Sequence, residues 1–336
     1  MYYNWHLVFI LLCCQPVFLA PIEDGTANPS PNNSPDNVPE IPSTFNTEIY
    51  EEQGNPQIPA LTTYKTLLAA ITALALRPYE DVFHTAKFNI PDLKIAFSVF
   101  SLDVQPGELK LPIVIREGMW GIYQLAEKLT QDKPPDTATL SASWGYLIWH
   151  GRKVGGIYVR DADIPPPPYT FDTTTPNSSR TDEIGNLTPA VPEISPSSNT
   201  LDIHVAITKT HRSLSRADFI FSLFSAILNL AADTPLRTLN LIEDYTHVST
   251  DHHTLTWLNN KVPPYERRGL DFYSIAVQGL ALLYEEVVKM AKEEEGKWFE
   301  VEFEIEVAGR EGKIFEGQIN MSGTSGGKPV EPSQTE

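Results

Sequence analysis

Phe299-Glu300-Val301-Glu302-Phe303-Glu304-Ile305-Glu306-Val307 alternates apolar and acidic residues without a break. Successive side chains on a strand point to opposite faces, so this stretch predicts a strand with one buried face and one glutamate face. Before it, Leu270 to Lys292 places Phe272, Ala276, Leu280, Leu283, Val287 and Met290 at helical spacing, with Asp271, Ser274, Gln278, Glu285 and Lys289 along the other side. That pattern is an amphipathic helix. After it, Ala308 to Lys313 turns the chain into a second strand, Ile314–Ile319. Further upstream, Ser215 and Asp218 resemble a capping box in front of an apolar helix, Phe219–Ala232. His253–Leu258 and Leu201–Thr208 read as strands.

The same order occurs earlier in the chain. Leu61 to Arg77 repeats Leu67, Leu68, Ile71, Leu74 and Ala75 at helical spacing and stops at Pro78. Asp92 to Ser101 alternates Leu93, Ile95, Phe97 and Val99 with smaller or polar residues, as a strand does. A helix follows from Pro112, with Ile115, Met119, Ile122, Ala126 and Leu129 as its core stripe. Leu140, Ala142, Trp144, Tyr146 and Ile148 then alternate on one face, Gly151-Arg152-Lys153 turns, and Val154 to Val159 returns.

The expected fold class is therefore α+β, with helices on one face of a small antiparallel sheet. Two tandem homologous units are expected, related by a pseudo-twofold. Each runs α-β-α-β-β, and the second has an extra N-terminal strand. The expected divisions are a signal peptide over 1–27, with cleavage between 20 and 27, and a disordered Pro/Asn-rich segment over 28–60. The first unit follows over 61–161, a Pro/Ser/Thr-rich linker over 162–200, the second unit over 201–320 and a disordered tail over 321–336. The outer faces of the two hairpins differ. The second is a row of glutamates; the first reads as Ser141, Ser143, Gly145, Leu147 and Trp149. Leu147 and Trp149 suit water poorly and mark an expected interaction face, covered by the other unit or by a partner.

Several features point outside the cell. The first twenty residues hold no Asp, Glu, Lys or Arg, and Leu7–Leu12 is an apolar core of signal-peptide length, interrupted at Gln15-Pro16. Both cysteines, Cys13 and Cys14, lie inside it, so the mature chain would be free of disulfides and of thiolate metal sites. Four sequons, at Asn32, Asn177, Asn186 and Asn320, are candidate N-glycosylation positions. No later stretch is apolar enough to span a bilayer. The net charge of −18 argues against nucleic acid, whose phosphates require clustered Lys and Arg.

Candidate chemistry is sparse. His247, Asp251, His252 and His253 form the densest cluster of titratable groups, able in principle to hold zinc or orient a general base. The bland reading, a polar loop entering a strand, is preferred. The glutamates of 300–306 lie about 7 Å apart along their face, and read as a solvated surface. Gly323-Thr324-Ser325-Gly326-Gly327 matches a nucleophile elbow by letters only, since no strand and helix flank it. Trp144, Tyr146 and Tyr158 are candidates for a sugar platform, although their alternation reads as core. No cofactor and no metal are expected. The expectation is a secreted, non-enzymatic binding protein with an extracellular protein or glycan as partner. The alternative is an extracellular hydrolase with a cleft between the units, using the 247–253 region.

Overall fold

The computed structural model describes residues 41–52, 54, 56–90, 94–102, 112–131, 138–163, 202–233, 242–249 and 252–322. The first half runs β1 (Phe45–Glu51), β2 (Gln57–Pro59), α1 (Ala60–Ala75), β3 (Val82–Phe83), β4 (Thr85–Ile90), β5 (Ile95–Ser101), β6 (Ile113–Val114), α2 (Ile115–Gln131), β7 (Thr139–Ser141), β8 (Ser143–Trp149) and β9 (Arg152–Asp161). The second runs β10 (Ile203–Ser213), α3 (Arg216–Ala232), β11 (Asp244–Ser249), β12 (Thr254–Asn260), α4 (Phe272–Glu293), β13 (Phe299–Val307) and β14 (Phe315–Met321). A short 3-10 turn, Pro264–Glu266, precedes α4.

Two five-stranded antiparallel sheets result, ordered β1-β8-β9-β5-β4 and β10-β13-β14-β12-β11. Both halves follow the order strand, helix, hairpin, helix, hairpin, and each sheet places those strands in the same spatial sequence. The α+β class expected from sequence is observed, and all four expected helices form.

Three expectations about the elements are corrected. The stretch read as disordered up to residue 60 contains β1 and β2, so the first half begins at Phe45 rather than at 61. β1 pairs with β8 as β10 pairs with β13, so the strand opening the second half is not an extra one. Each half also has a hairpin, β4–β5 and β11–β12, where a single strand was expected. The signal segment, most of the 162–200 linker, and the tail beyond Ser322 lie outside the described residues.

The helices occupy the layer between the sheets. α1 and α2 cover one face of the first sheet, α3 and α4 cover one face of the second, and the helix pairs pack on one another. This explains the composition of α1 and α3, which are apolar nearly all round, as fully enclosed helices must be. Phe219, Phe221 and Phe224 of α3 are each essentially buried, and burying such a ring contributes about 1.5–3 kcal/mol. Two buried hydroxyls of α1 are satisfied by backbone carbonyls one turn earlier. Thr63 Oγ1 donates to the Pro59 carbonyl at 2.8 Å, and Thr66 Oγ1 to that of Thr62 at 3.0 Å.

Each outer helix sits on its sheet through a glycine. A methyl at Gly121 of α2 would lie 2.4 Å from Leu147 Cδ2, and one at Gly279 of α4 would lie 2.4 Å from Ile305 Cδ1. Leu147 is thus fully buried under α2. Trp149 is half-buried, with Trp120 of α2 stacked on it at 5.9 Å and 10°. The expected outward interaction face of Leu147 and Trp149 is therefore corrected: both are covered, by a helix of their own half. The cause is a break at Ala142, between β7 and β8. Its N–H donates to the Pro56 carbonyl, and its own carbonyl accepts from Glu52, both at 2.8 Å. Leu140 and Ala142 are buried before the break, and Ser143, Gly145 and Leu147 are buried after it. A slip of one residue exchanges the faces of a strand.

Candidate functional site

The four sequence candidates do not converge. His247, on β11, points inward and is 4% exposed. Its Nε2 shares a 2.6 Å hydrogen bond with Ser225 Oγ of α3. Burial drives its pKa down to about 4, so the ring is neutral near neutral pH. His252, in the β11–β12 turn, donates from Nδ1 to Asp218 Oδ1 at 3.2 Å and stacks on Phe221 at 4.4 Å and 6°. Partial burial works to raise the Asp218 pKa. Hydrogen bonds from His252 and Ser215 overcome it and hold the carboxyl below its ordinary value. Ser215 Oγ both donates to Asp218 Oδ2 and accepts from the Asp218 N–H, the reciprocal cap expected from sequence. His253 is exposed in a left-handed turn conformation, φ 48°. Asp251 lies outside the described residues.

Ser225 and Asp218 are two helical turns apart on α3, about 10 Å along its axis, so each histidine is tied to a different partner. The serine beside Asp218 bonds the carboxylate rather than the imidazole, the wrong order for an activated nucleophile. His252 Nε2 is buried with no hydrogen-bond partner among the described residues. Among the described residues, no group of three or more His, Cys, Asp and Glu could hold a metal. A cavity of about 680 Å³ near the start of α3 is lined by none of the four candidates.

The outer sheet faces carry the contrast. On the second sheet three of the four glutamates of the row, Glu300, Glu302 and Glu304, have cationic partners, while Glu306 is exposed. Glu302 accepts from Lys209 Nζ at 3.3 Å and lies 2.7 Å from His211 Nε2. Burial opposes its ionisation, but those two hydrogen bonds hold its carboxyl below the usual range. Glu304 pairs with Lys313 at 3.0 Å, and Lys313 also pairs with Glu316. Glu300 is 3% exposed and accepts from Met321 N and Arg212 Nε. Asn320, the one sequon asparagine among the described residues, sits half-buried on this face, opposite Leu255.

On the first sheet the outer face is aromatic. The register aligns Tyr50 with Trp144 and Trp144 with Tyr158, across three neighbouring strands. Tyr50 stacks on Trp144 at 4.9 Å and 30°, and Trp144 meets Tyr146 edge-on at 5.4 Å. Lys153 Nζ stands 3.6 Å from the centre of the Tyr146 ring, and the Arg160 guanidinium 4.6 Å from that of Tyr158. Arg160 is 6% exposed, and its Nε and Nη1 have no hydrogen-bond partner among the described residues. Trp144, Tyr146 and Tyr158 are thus outward, half-buried side chains, not the inward core their alternation suggested. Tyr50 and Arg160 were not singled out from sequence. The alternation of Phe45, Thr47 and Ile49 against Asn46, Glu48 and Tyr50 was the available signal for the first.

Compared with protein-family models, with curated proteins and with solved structures, the chain matches none. Among the described residues, no helix is long and apolar enough to cross a membrane.

Proposed function

We propose that the chain is a secreted, non-enzymatic binding protein built from a duplicated α+β unit, and that it recognises an acidic glycan on the outer face of its first sheet. The observation that carries this reading is the Tyr50, Trp144, Tyr146 and Tyr158 surface with Lys153 and Arg160 set against its rings. A pyranose ring presents a face of C–H bonds that packs on a flat aromatic ring, while its hydroxyls bond to polar groups at the ring's edge. Glu48, beside Tyr50, is placed for the second task. The exposed Lys153 ammonium over the Tyr146 ring is placed to pair with a carboxylate or sulfate on a sugar packed there, hence the preference for an acidic sugar.

Secretion is supported by the Leu7–Leu12 apolar core, the four sequons and the Pro/Ser/Thr-rich stretch between the halves. Duplication is supported by the common strand order and by the matching glycines, Gly121 over Leu147 and Gly279 over Ile305. The separate ties of His247 and His252 favour binding over hydrolysis.

The test is a screen of the full chain against immobilised glycans, followed by calorimetric titration of a soluble oligosaccharide that binds. Binding of a uronate- or sialate-bearing sugar, weakened at least tenfold by Trp144→Ala, is expected. No saccharide bound, or a bound one indifferent to Trp144→Ala, overturns the reading. So does turnover of a glycoside that disappears in His252→Ala.

A further inference from the structure

The cavity of about 680 Å³ opens where the start of α1, the β10–α3 junction, the end of α4 and the start of β13 meet. Its floor is apolar, formed by Leu61, Leu214, Val288 and the Trp298 ring, with Leu214 and Trp298 buried. Its rim is cationic. Arg216 comes from the first turn of α3, Lys292 from the last turn of α4 and Lys297 from the segment leading into β13, with Glu295 as the single carboxylate among them. In a chain with 43 acidic and 25 basic residues, this local balance is inverted.

Most other lysines of the second half are engaged in ion pairs. Lys209 is held by Glu302, Lys261 by Glu316, Lys289 by Glu286 and Lys313 by Glu304. The side chains of Lys292 and Lys297 make no ion pair or hydrogen bond among the described residues. The positive end of the α3 dipole and the negative end of the α4 dipole both lie at this site and offset one another, so its positive potential comes from the side chains. A concave site of this volume, lined by apolar and polar groups in comparable measure and carrying a few convergent charges, has the form of a small-molecule site. Both sign and shape then specify the ligand.

We propose that this cavity binds an anionic amphiphile, with its carboxylate between Arg216, Lys292 and Lys297 and its hydrocarbon body over Trp298, Leu214 and Val288. The site is independent of the aromatic face of the first sheet. Because Leu61 belongs to the first half and the remaining lining to the second, an occupant also bridges the two halves.

Calorimetric titration of the full chain with dodecanoate, dodecanol and inorganic phosphate separates the contributions of head and body. Saturable one-to-one binding of dodecanoate is expected, at least tenfold tighter than dodecanol or phosphate. Both lysines are exposed, so the doubly substituted Lys292→Glu, Lys297→Glu protein should keep its thermal midpoint while losing at least tenfold in dodecanoate affinity. If dodecanoate shows no saturable binding, if dodecanol or phosphate equals it, or if the charge reversal leaves its affinity unchanged, the proposal fails. Should the doubly substituted protein not fold, raising salt from 50 to 500 mM provides the second measure. Weakened dodecanoate binding is expected; salt-independent binding overturns the role of the rim.

Discussion

His247 is a buried imidazole held by one serine hydroxyl, and its energetics follow from that placement. Burial lowers its folded pKa to about 4, below the ordinary imidazole value of 6.5. The unfolded chain therefore binds a proton at this position before the folded one does, and stability falls as pH drops through the window from 6.5 to 4. Above that window the ring is neutral in both states and its full contribution is present. The loss across the window is about 3 kcal/mol at 1.36 kcal/mol per unit. Urea unfolding between pH 7.5 and 4.5 should show a steep loss in the native chain. In His247→Gln, which keeps a polar side chain but cannot titrate, the slope should be shallower. Equal slopes in the two proteins would show that the histidine titrates alike folded and unfolded. The sequence revealed this residue as titratable but not its surroundings. Ser225, 22 positions away, becomes its partner only because α3 lies under β11.

At the scale of elements, helix-to-sheet distance is set by Gly121 and Gly279. Ala at 279 would improve helix propensity by about 1 kcal/mol in isolation. Here its methyl meets Ile305 Cδ1 at 2.4 Å, so the substitution should destabilise the protein by about 1–3 kcal/mol. Pairing it with Ile305→Val removes the clashing methyl and should recover part of that loss, a non-additivity that thermal unfolding of the two single mutants and the double would read directly. Strict additivity would mean that α4 simply lifts from the sheet. The elements also show which sequence signals carry a fold. The alternation at 299–307 was legible because apolar and charged residues oppose one another there. The stretch from 143 to 149 was not, because both faces are apolar. There the inner face is chosen by size: Ser143 and Gly145 are small where the β1 backbone passes, and a methyl on Gly145 would fall 2.3 Å from the Glu48 carbonyl oxygen. β1 escaped notice because its clean alternation is embedded among prolines and asparagines. Trp144, Tyr146 and Tyr158 were therefore visible as a set but assigned to the wrong side of the sheet, and Tyr50 and Arg160 were not visible as part of it.

For the molecule as a whole, the layer between the sheets makes the two halves one folding unit. Tyr273 Oη of α4 donates to the Ala75 carbonyl at the end of α1, at 2.7 Å, and Tyr284 Oη to the Leu61 carbonyl at its start, at 2.8 Å. Lys65 and Glu285 pair at 2.9 Å, and the Tyr123 ring meets Phe221 edge-on at 5.8 Å. The salt bridge is partly exposed and contributes little. The tyrosines are buried: Tyr273 caps the Ala75 carbonyl at the C-terminal end of α1, and Tyr284 gives the Leu61 carbonyl, in the first turn, a second donor beyond its intrahelical one. Tyr273→Phe and Tyr284→Phe should each cost about 1–2 kcal/mol. If α1 and α4 are joined as one cooperative body, both substitutions should lower a single shared unfolding transition, seen identically by tryptophan fluorescence and far-ultraviolet dichroism. Two resolved transitions, with only the second-half one moved by these changes, would instead mean that each α+β half folds alone and that the helix layer is an interface between two finished domains.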